Sequence, residues 1–162
     1  MKTTTEHAVA VIGIGNLLLK DEGFGVHAVR ELGRRPAQTG VKLIDGGTDP
    51  WSAFEEAEGC QSLLVLDAVQ GGKEPGDFHS MPLDEVDPGD ALMSLHGLTM
   101  FHLLRYEALL GNTFREVRVL GIEPATVEPD IGLSGPCRRR LAEFVGVAVQ
   151  EIDDMLERLS RP

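Results

Sequence analysis

The chain has 162 residues, with 15 Lys and Arg against 26 Asp and Glu, for a net charge of −11. That length suits one domain with a substantial core, and the acidic balance argues against nucleic acid, whose affinity comes from Lys and Arg displacing counterions. No apolar stretch approaches the ~18 residues needed to cross a bilayer, so no membrane partner is expected. Residues 1–7 read as a flexible polar tail. The apolar run Ala8–Ile14 behind it has no small-residue cleavage site and reads as a first strand, not a signal peptide.

A tight glycine turn, Gly13-Ile14-Gly15-Asn16, follows that strand. Three leucines and the acidic pair Asp21-Glu22 lead into a helix over Phe24–Leu32, which ends near Gly33 and Pro36. Asp21 is expected to cap this helix and Glu22 to face a ligand. Val41–Ile44 is a second strand, followed by the Asp45-Gly46-Gly47-Thr48 turn and a short helix over Pro50–Ala57, with Thr48 or Asp49 as its cap. Leu63–Leu66, apolar throughout, reads as a central parallel strand covered on both faces. Gly71–Gly76 is turn material, Asp77–Met81 a short edge strand, and Pro82–Asp90 a loop rich in Asp and Pro. Helices over Leu98–Leu110 and Ser134–Leu159 flank a last strand at Val117–Ile122. The only basic cluster, Arg138-Arg139-Arg140, reads as a solvated stretch of the final helix. Alternation of apolar runs with amphipathic stretches predicts a single-domain, three-layer α/β sandwich. Its twisted, mostly parallel sheet of about five strands carries helices on both faces.

In such a sheet the C-terminal strand ends and the following helix N-termini share one rim, where ligands bind. Glu22 follows the first strand, Asp45–Thr48 the second, Asp67 the third, and Glu123 the last, while Ser94-Leu95-His96 precedes a helix. Each has an ordinary reading: Glu22 as a complement to the helix dipole, Asp67 as a turn cap, and His96 as a capping or packing residue. Taken as a set, one Glu, one Asp and one His form a ligand group suited to a divalent transition metal. The glycine doublet Gly46-Gly47 suggests a binding loop that another chain approaches closely. His7, His27, His79 and His102 read as surface or packing residues. Cys60 and Cys137 lack CxxC spacing and are expected to be reduced, which points to the cytoplasm.

Two nucleotide-related patterns fail. A dinucleotide fingerprint needs a third glycine where Leu18 stands, and Glu22 near the helix start would repel a pyrophosphate. The Gly-Ile-Gly-Asn turn of peptidyl-tRNA hydrolases should continue with Pro-Gly after Asn16, and here it does not.

The whole pattern resembles the nickel–iron hydrogenase maturation endopeptidases. It comprises Gly13-Ile-Gly-Asn-x-Leu-x-x-Asp-Glu-x-x-Gly25, Asp45-Gly-Gly-Thr48, Leu66-Asp67-Ala68, Ser94-x-His96, Gly121-x-x-Pro124 and Glu128-Pro-x-x-Gly-Leu-Ser134. The resemblance implies a phosphorylase/hydrolase-like fold. It also implies a protease that removes a C-terminal extension from a hydrogenase large-subunit precursor once nickel is installed. Glu22, Asp67 and His96 match the family's metal-contacting and catalytic positions, and Asp45, Gly46, Gly47 and Thr48 match its substrate-recognition loop. Pro50 stands where the family commonly has glycine, which stiffens that loop. The nickel is expected to arrive bound to the precursor, and the protein is expected to be a monomer. Nickel polarising the scissile carbonyl, nickel activating water, and Glu22 or Asp67 acting as general base are all open routes. A non-catalytic protein that binds nickel or the metallated precursor is the alternative.

Overall fold

The computed structural model describes residues 7–87, 92–111 and 114–162. Most of the expected tail, and Pro88 to Asp90 of the expected loop, lie outside the described residues. Six strands form one sheet: β1 (Val9–Ile14), β2 (Val41–Gly47), β3 (Ser62–Gln70), β4 (Phe78–Pro82), β5 (Leu92–Met93) and β6 (Glu116–Ile122). The main path runs β2-β1-β3-β6-β4, with β5 paired to the far end of β3. The first four strands of that path are parallel, and β4 closes the edge antiparallel to β6. The expected mixed, mostly parallel sheet is therefore present, and the edge strand takes the antiparallel sense.

Four helices cover the sheet: α1 (Phe24–Gly33), α2 (Pro50–Glu56), α3 (Leu95–Leu109) and α4 (Gly135–Ser160). Alternation along β1 decides the layers, because successive side chains point to opposite faces. Val9 and Val11 join Phe24, Ala28, Phe144 and Ala148 beneath α1 and α4. Ala10, Ile12 and Ile14 join Phe54, Met100 and Phe101 beneath α2 and α3. Phe144 centres the first layer, packing edge-on against Phe24 at 4.8 Å and Phe78 at 5.3 Å between ring centroids. Cys137 is buried, and both cysteines are free thiols. Among the described residues no helix is long and apolar enough to cross a membrane.

Two glycine contacts set where α1 begins. A Cβ on Gly25 would lie 2.1 Å from the Leu66 carbonyl oxygen, and one on Gly13 would lie 2.2 Å from the Gly25 carbonyl oxygen. The first turn of α1 thus rests directly on the backbones of β1 and β3, and no side chain separates them. Gly13 and Gly25 are thus packing devices between helix and sheet.

Three boundaries differ from the sequence reading by three residues or more. β3 runs to Gln70 instead of ending at Leu66, because β5 pairs with its extension, Val69 opposite Met93 and Gln70 opposite Leu92. Asp67 accordingly lies within the strand. α3 starts at Leu95, where the Ser94 hydroxyl caps it by accepting the Gly97 amide at 3.0 Å, so His96 belongs to the first helical turn. β2 runs through Gly47, which leaves only Thr48 and Asp49 as the connection to α2.

Candidate active site

The turn after β1 descends to a short 3-10 turn, Lys20–Gly23, carrying both acidic residues. Asp21 does not cap α1. Its buried carboxylate accepts hydrogen bonds from the amides of Ala125, Thr126 and Ser134 at 2.9, 3.0 and 2.8 Å, and from the Ser134 hydroxyl at 2.6 Å. Burial pushes its pKa up, but these four donors outweigh that and hold it below the ordinary aspartate value. Asp21 therefore anchors the segment that joins β6 to α4. No local motif signals this, since the partners lie more than 100 residues along the chain.

Glu22 points the other way. It is 7% exposed, and its Oε1 lies 3.7 Å from His96 Nε2, beyond hydrogen-bonding distance. That oxygen has no hydrogen-bond partner. The last strand residue before the turn, Ile14, and the close packing of α1 on Leu66 bring Glu22 to the end of β3, where Asp67 is wholly buried. Asp67 Oδ2 accepts the Ser94 amide at 3.2 Å, while Oδ1 has no partner. Burial, and then the negative charge of Glu22, drive the Asp67 carboxyl up to about 8, against hydrogen bonds from Ser94 and Ala68 that oppose the rise. An aspartate with one unpaired oxygen near a second unpaired carboxylate oxygen is an incomplete arrangement. Among the described residues, no three His, Cys, Asp or Glu side chains are grouped closely enough to hold a metal by themselves. The free oxygens of Glu22 and Asp67 and the imidazole of His96 are groups that could donate to a cation.

The Asp45–Thr48 segment sits on the neighbouring strand end, and its residues have separate tasks. Asp45 is turned toward α1, ion-paired with Arg30 at 2.7 Å. Gly46 faces the core, where a Cβ would lie 3.0 Å from the methyls of Ile12 and Ile14. Gly47 adopts φ +49° and accepts the Gly15 amide at 2.9 Å, which ties this strand end to the glycine turn. Thr48 is exposed, and Asp49 is the residue that caps α2, accepting the Ser52 amide at 3.1 Å. Glu123, placed on the same rim by sequence, is engaged elsewhere: it binds His79 Nε2 at 2.7 Å and accepts the Gly71 amide at 2.8 Å. This buried pair pins the edge strand β4 to the end of β6. Sequence reasoning named Ser94 and Ser134 in the pattern without a role for either; the Ser94 amide donates to Asp67, and Ser134 holds Asp21.

A cavity of about 770 Å³ opens between the C-terminal half of α3 and the start of β6, lined by His102, Arg105, Phe114 and Glu116 among others. It lies at the opposite end of the strands from Glu22, Asp67 and His96 and contains none of them.

A mostly parallel sheet with helices on both faces and polar residues gathered along one rim makes this an α/β protein. The family model described as hydrogenase maturation protease matches residues 26–151, and the chain belongs to that family. Among curated relatives, the hydrogenase expression/formation protein HupD of Bradyrhizobium diazoefficiens is 34% identical over 163 aligned positions, covering 98% of this chain and 85% of that protein. The hydrogenase 2 maturation protease of Escherichia coli K12 is 29% identical over 129 positions, covering 78% and 79%. Among solved structures, the hydrogenase maturating endopeptidase HybD from E. coli superposes with a TM-score of 0.80 at 25% identity, covering 90% of this chain and 92% of that one. The chain is thus an endopeptidase acting in hydrogenase maturation, with a hydrogenase precursor as substrate. The non-catalytic alternative is set aside.

Proposed function

We propose that this protein cuts the C-terminal extension from a hydrogenase large-subunit precursor only after nickel has been inserted. In this reading Glu22, Asp67 and His96 complete the coordination of a nickel ion that the precursor itself carries. The observation that supports it is the pair of buried oxygens without partners, Glu22 Oε1 and Asp67 Oδ1, beside His96. Carboxylate oxygen and imidazole nitrogen are both donors that nickel accepts. A precursor lacking nickel would leave the free oxygens of Glu22 and Asp67 without a partner. A loaded one would bring a positive charge, so metal insertion licenses docking. Cleavage then adds water across the peptide bond, hydroxyl to the carbonyl carbon and a proton to the departing amine. The bound cation contributes as a Lewis acid.

Asp45, Gly46, Gly47 and Thr48 are proposed to read the precursor. Exposed Thr48 and the Gly47 backbone are the parts presented outward, while Arg30 fixes Asp45. The free thiols suit a reducing cytoplasm, in which we propose the protein works as a monomer. The test compares nickel-loaded and nickel-free precursor by intact mass after incubation with the protein. Shortening of the loaded form alone is expected. Equal shortening of both would remove nickel from recognition while leaving the peptidase activity in place.

A further inference from the structure

We infer that three loops around Glu22 form a rigid apolar lip that docks an apolar segment of the precursor next to the scissile bond. This rests on the rim of Glu22, Asp67 and His96 being the active site. Among the described residues eight large apolar side chains are exposed, and three of them stand on these loops, Leu18 (63%), Val127 (48%) and Ile131 (78%), while Trp51 (55%) lies in the first turn of α2 just past Gly47. Exposed apolar groups gathered in one region mark interaction surfaces more often than chance exposure does.

The loops are joined to one another by their main chains. Gly15 donates to the Gly47 carbonyl at 2.9 Å, Asp21 to Thr126 at 3.2 Å, Lys20 to Asp130 at 3.0 Å, and Asp130 back to Leu18 at 3.0 Å. Side chains add to this. Lys20 Nζ pairs with Glu128 at 3.1 Å and Asp130 at 3.2 Å, and Asp21 holds Ala125, Thr126 and Ser134. Asn16 fixes the Leu18 amide at 2.9 Å. Lys20 takes φ +52°, a left-handed backbone that a non-glycine residue adopts only when its surroundings impose it. Loose loops would let Leu18 and Ile131 turn inward. These loops hold them out, and a surface already ordered loses little freedom on docking.

The occupant follows from position. The substrate of this family is a polypeptide, and its backbone must reach Glu22, four residues beyond Leu18 in the chain. The carboxylates next to Ile131 are bound to Lys20, so the lip favours apolar side chains flanking the cut over charged ones.

The test is steady-state processing of a nickel-loaded large-subunit precursor, followed by intact mass, with the Leu18→Asp/Ile131→Asp double variant. KM is expected to rise about tenfold or more, since two apolar contacts are lost, with kcat within about twofold. Leu109→Asp, at the far end of α3 and 87% exposed, serves as control and should leave both constants unchanged. An unchanged KM in the double variant, or a fall in kcat alone, would overturn the lip while His96→Ala remained inactive. Full processing by His96→Ala would instead overturn the underlying active-site reading. Should the double variant not fold, Ile131→Asp alone carries the same expectation at smaller amplitude, and its folding is checked by thermal melting.

Discussion

Glu22 Oε1 and His96 Nε2 face each other at 3.7 Å with no hydrogen bond between them. A gap of that size is too long for direct bonding and leaves both atoms free for a third party. One residue comes from the turn after β1 and the other from the first turn of α3, so the juxtaposition exists only in the folded sheet.

His96→Ala should abolish precursor processing while leaving the fold intact, because His96 is only partly buried and its Nε2 pairs with nothing closer than Glu22. A drop of at least about 100-fold in processing rate is expected, the scale of loss already seen when a metal ligand merely loses its supporting partner. Gel or mass analysis of the precursor, with circular dichroism of the variant, checks both halves. Full processing would remove His96 from the site.

Asp67→Asn should make the protein more stable and inactive together. The folded protein holds the Asp67 carboxyl at about 8, far above its unfolded value of 3.8. A raised carboxyl pKa means the folded state binds the proton more tightly, so stability is fullest below the unfolded value and declines as pH rises toward 8. The asparagine variant lacks that decline. Its advantage in melting temperature over the parent should therefore grow from pH 5 to pH 8, and an advantage independent of pH would refute the assignment.

Asp21→Ala should be severely destabilising, by about 3–5 kcal/mol, because one buried and two part-buried amides and a buried hydroxyl lose their shared acceptor. Asp21 has a lowered folded pKa, so its contribution is present above the unfolded value of 3.8 and disappears as pH falls through the folded one. Acid unfolding followed by fluorescence of Trp51 should show part of this transition missing in Asp21→Asn.

Gly25→Ala should disrupt the molecule more than an ordinary helix substitution. The new methyl would lie 2.1 Å from Leu66 O and 2.4 Å from Ile14 O, both backbone atoms that have no rotamer to yield with. A loss of about 2–4 kcal/mol is expected from overpacking of this kind, read as a shift in urea midpoint. The displaced α1 would also move Glu22 away from Asp67, so processing should fall by more than the loss of folded protein explains.

The layered α/β architecture was legible because apolar runs such as Leu63–Leu66 and amphipathic stretches such as the last helix follow different periods. The rim residues were legible as a set because topology alone sends strand ends to one edge. Asp21 was misread as a helix cap: its position before Phe24 suits that role locally, and its true partners, Ala125 to Ser134, are remote. Asp67 looked like a residue after a strand because the two-residue β5 that prolongs β3 is too short to leave a periodic signal. The glycine doublet looked like a single device, yet Gly46 answers to the Ile12 and Ile14 methyls and Gly47 to a left-handed backbone. The pairing of His79 with Glu123 is likewise invisible without the antiparallel register of β4 on β6.

The bond from Ser134 to Asp21 spans 113 residues, and it bears on the order of events at synthesis. The turn that carries Glu22 is made more than 100 residues before the amides that hold its neighbour in place. Closure over so long a separation comes late, since the entropy of the intervening loop must be overcome first. A nascent chain halted before Ser134 can build β1, α1 and β2 and still have no finished rim. Completion of the rim thus waits for Ser134, and a chain cut short before that residue is expected to lack peptidase activity.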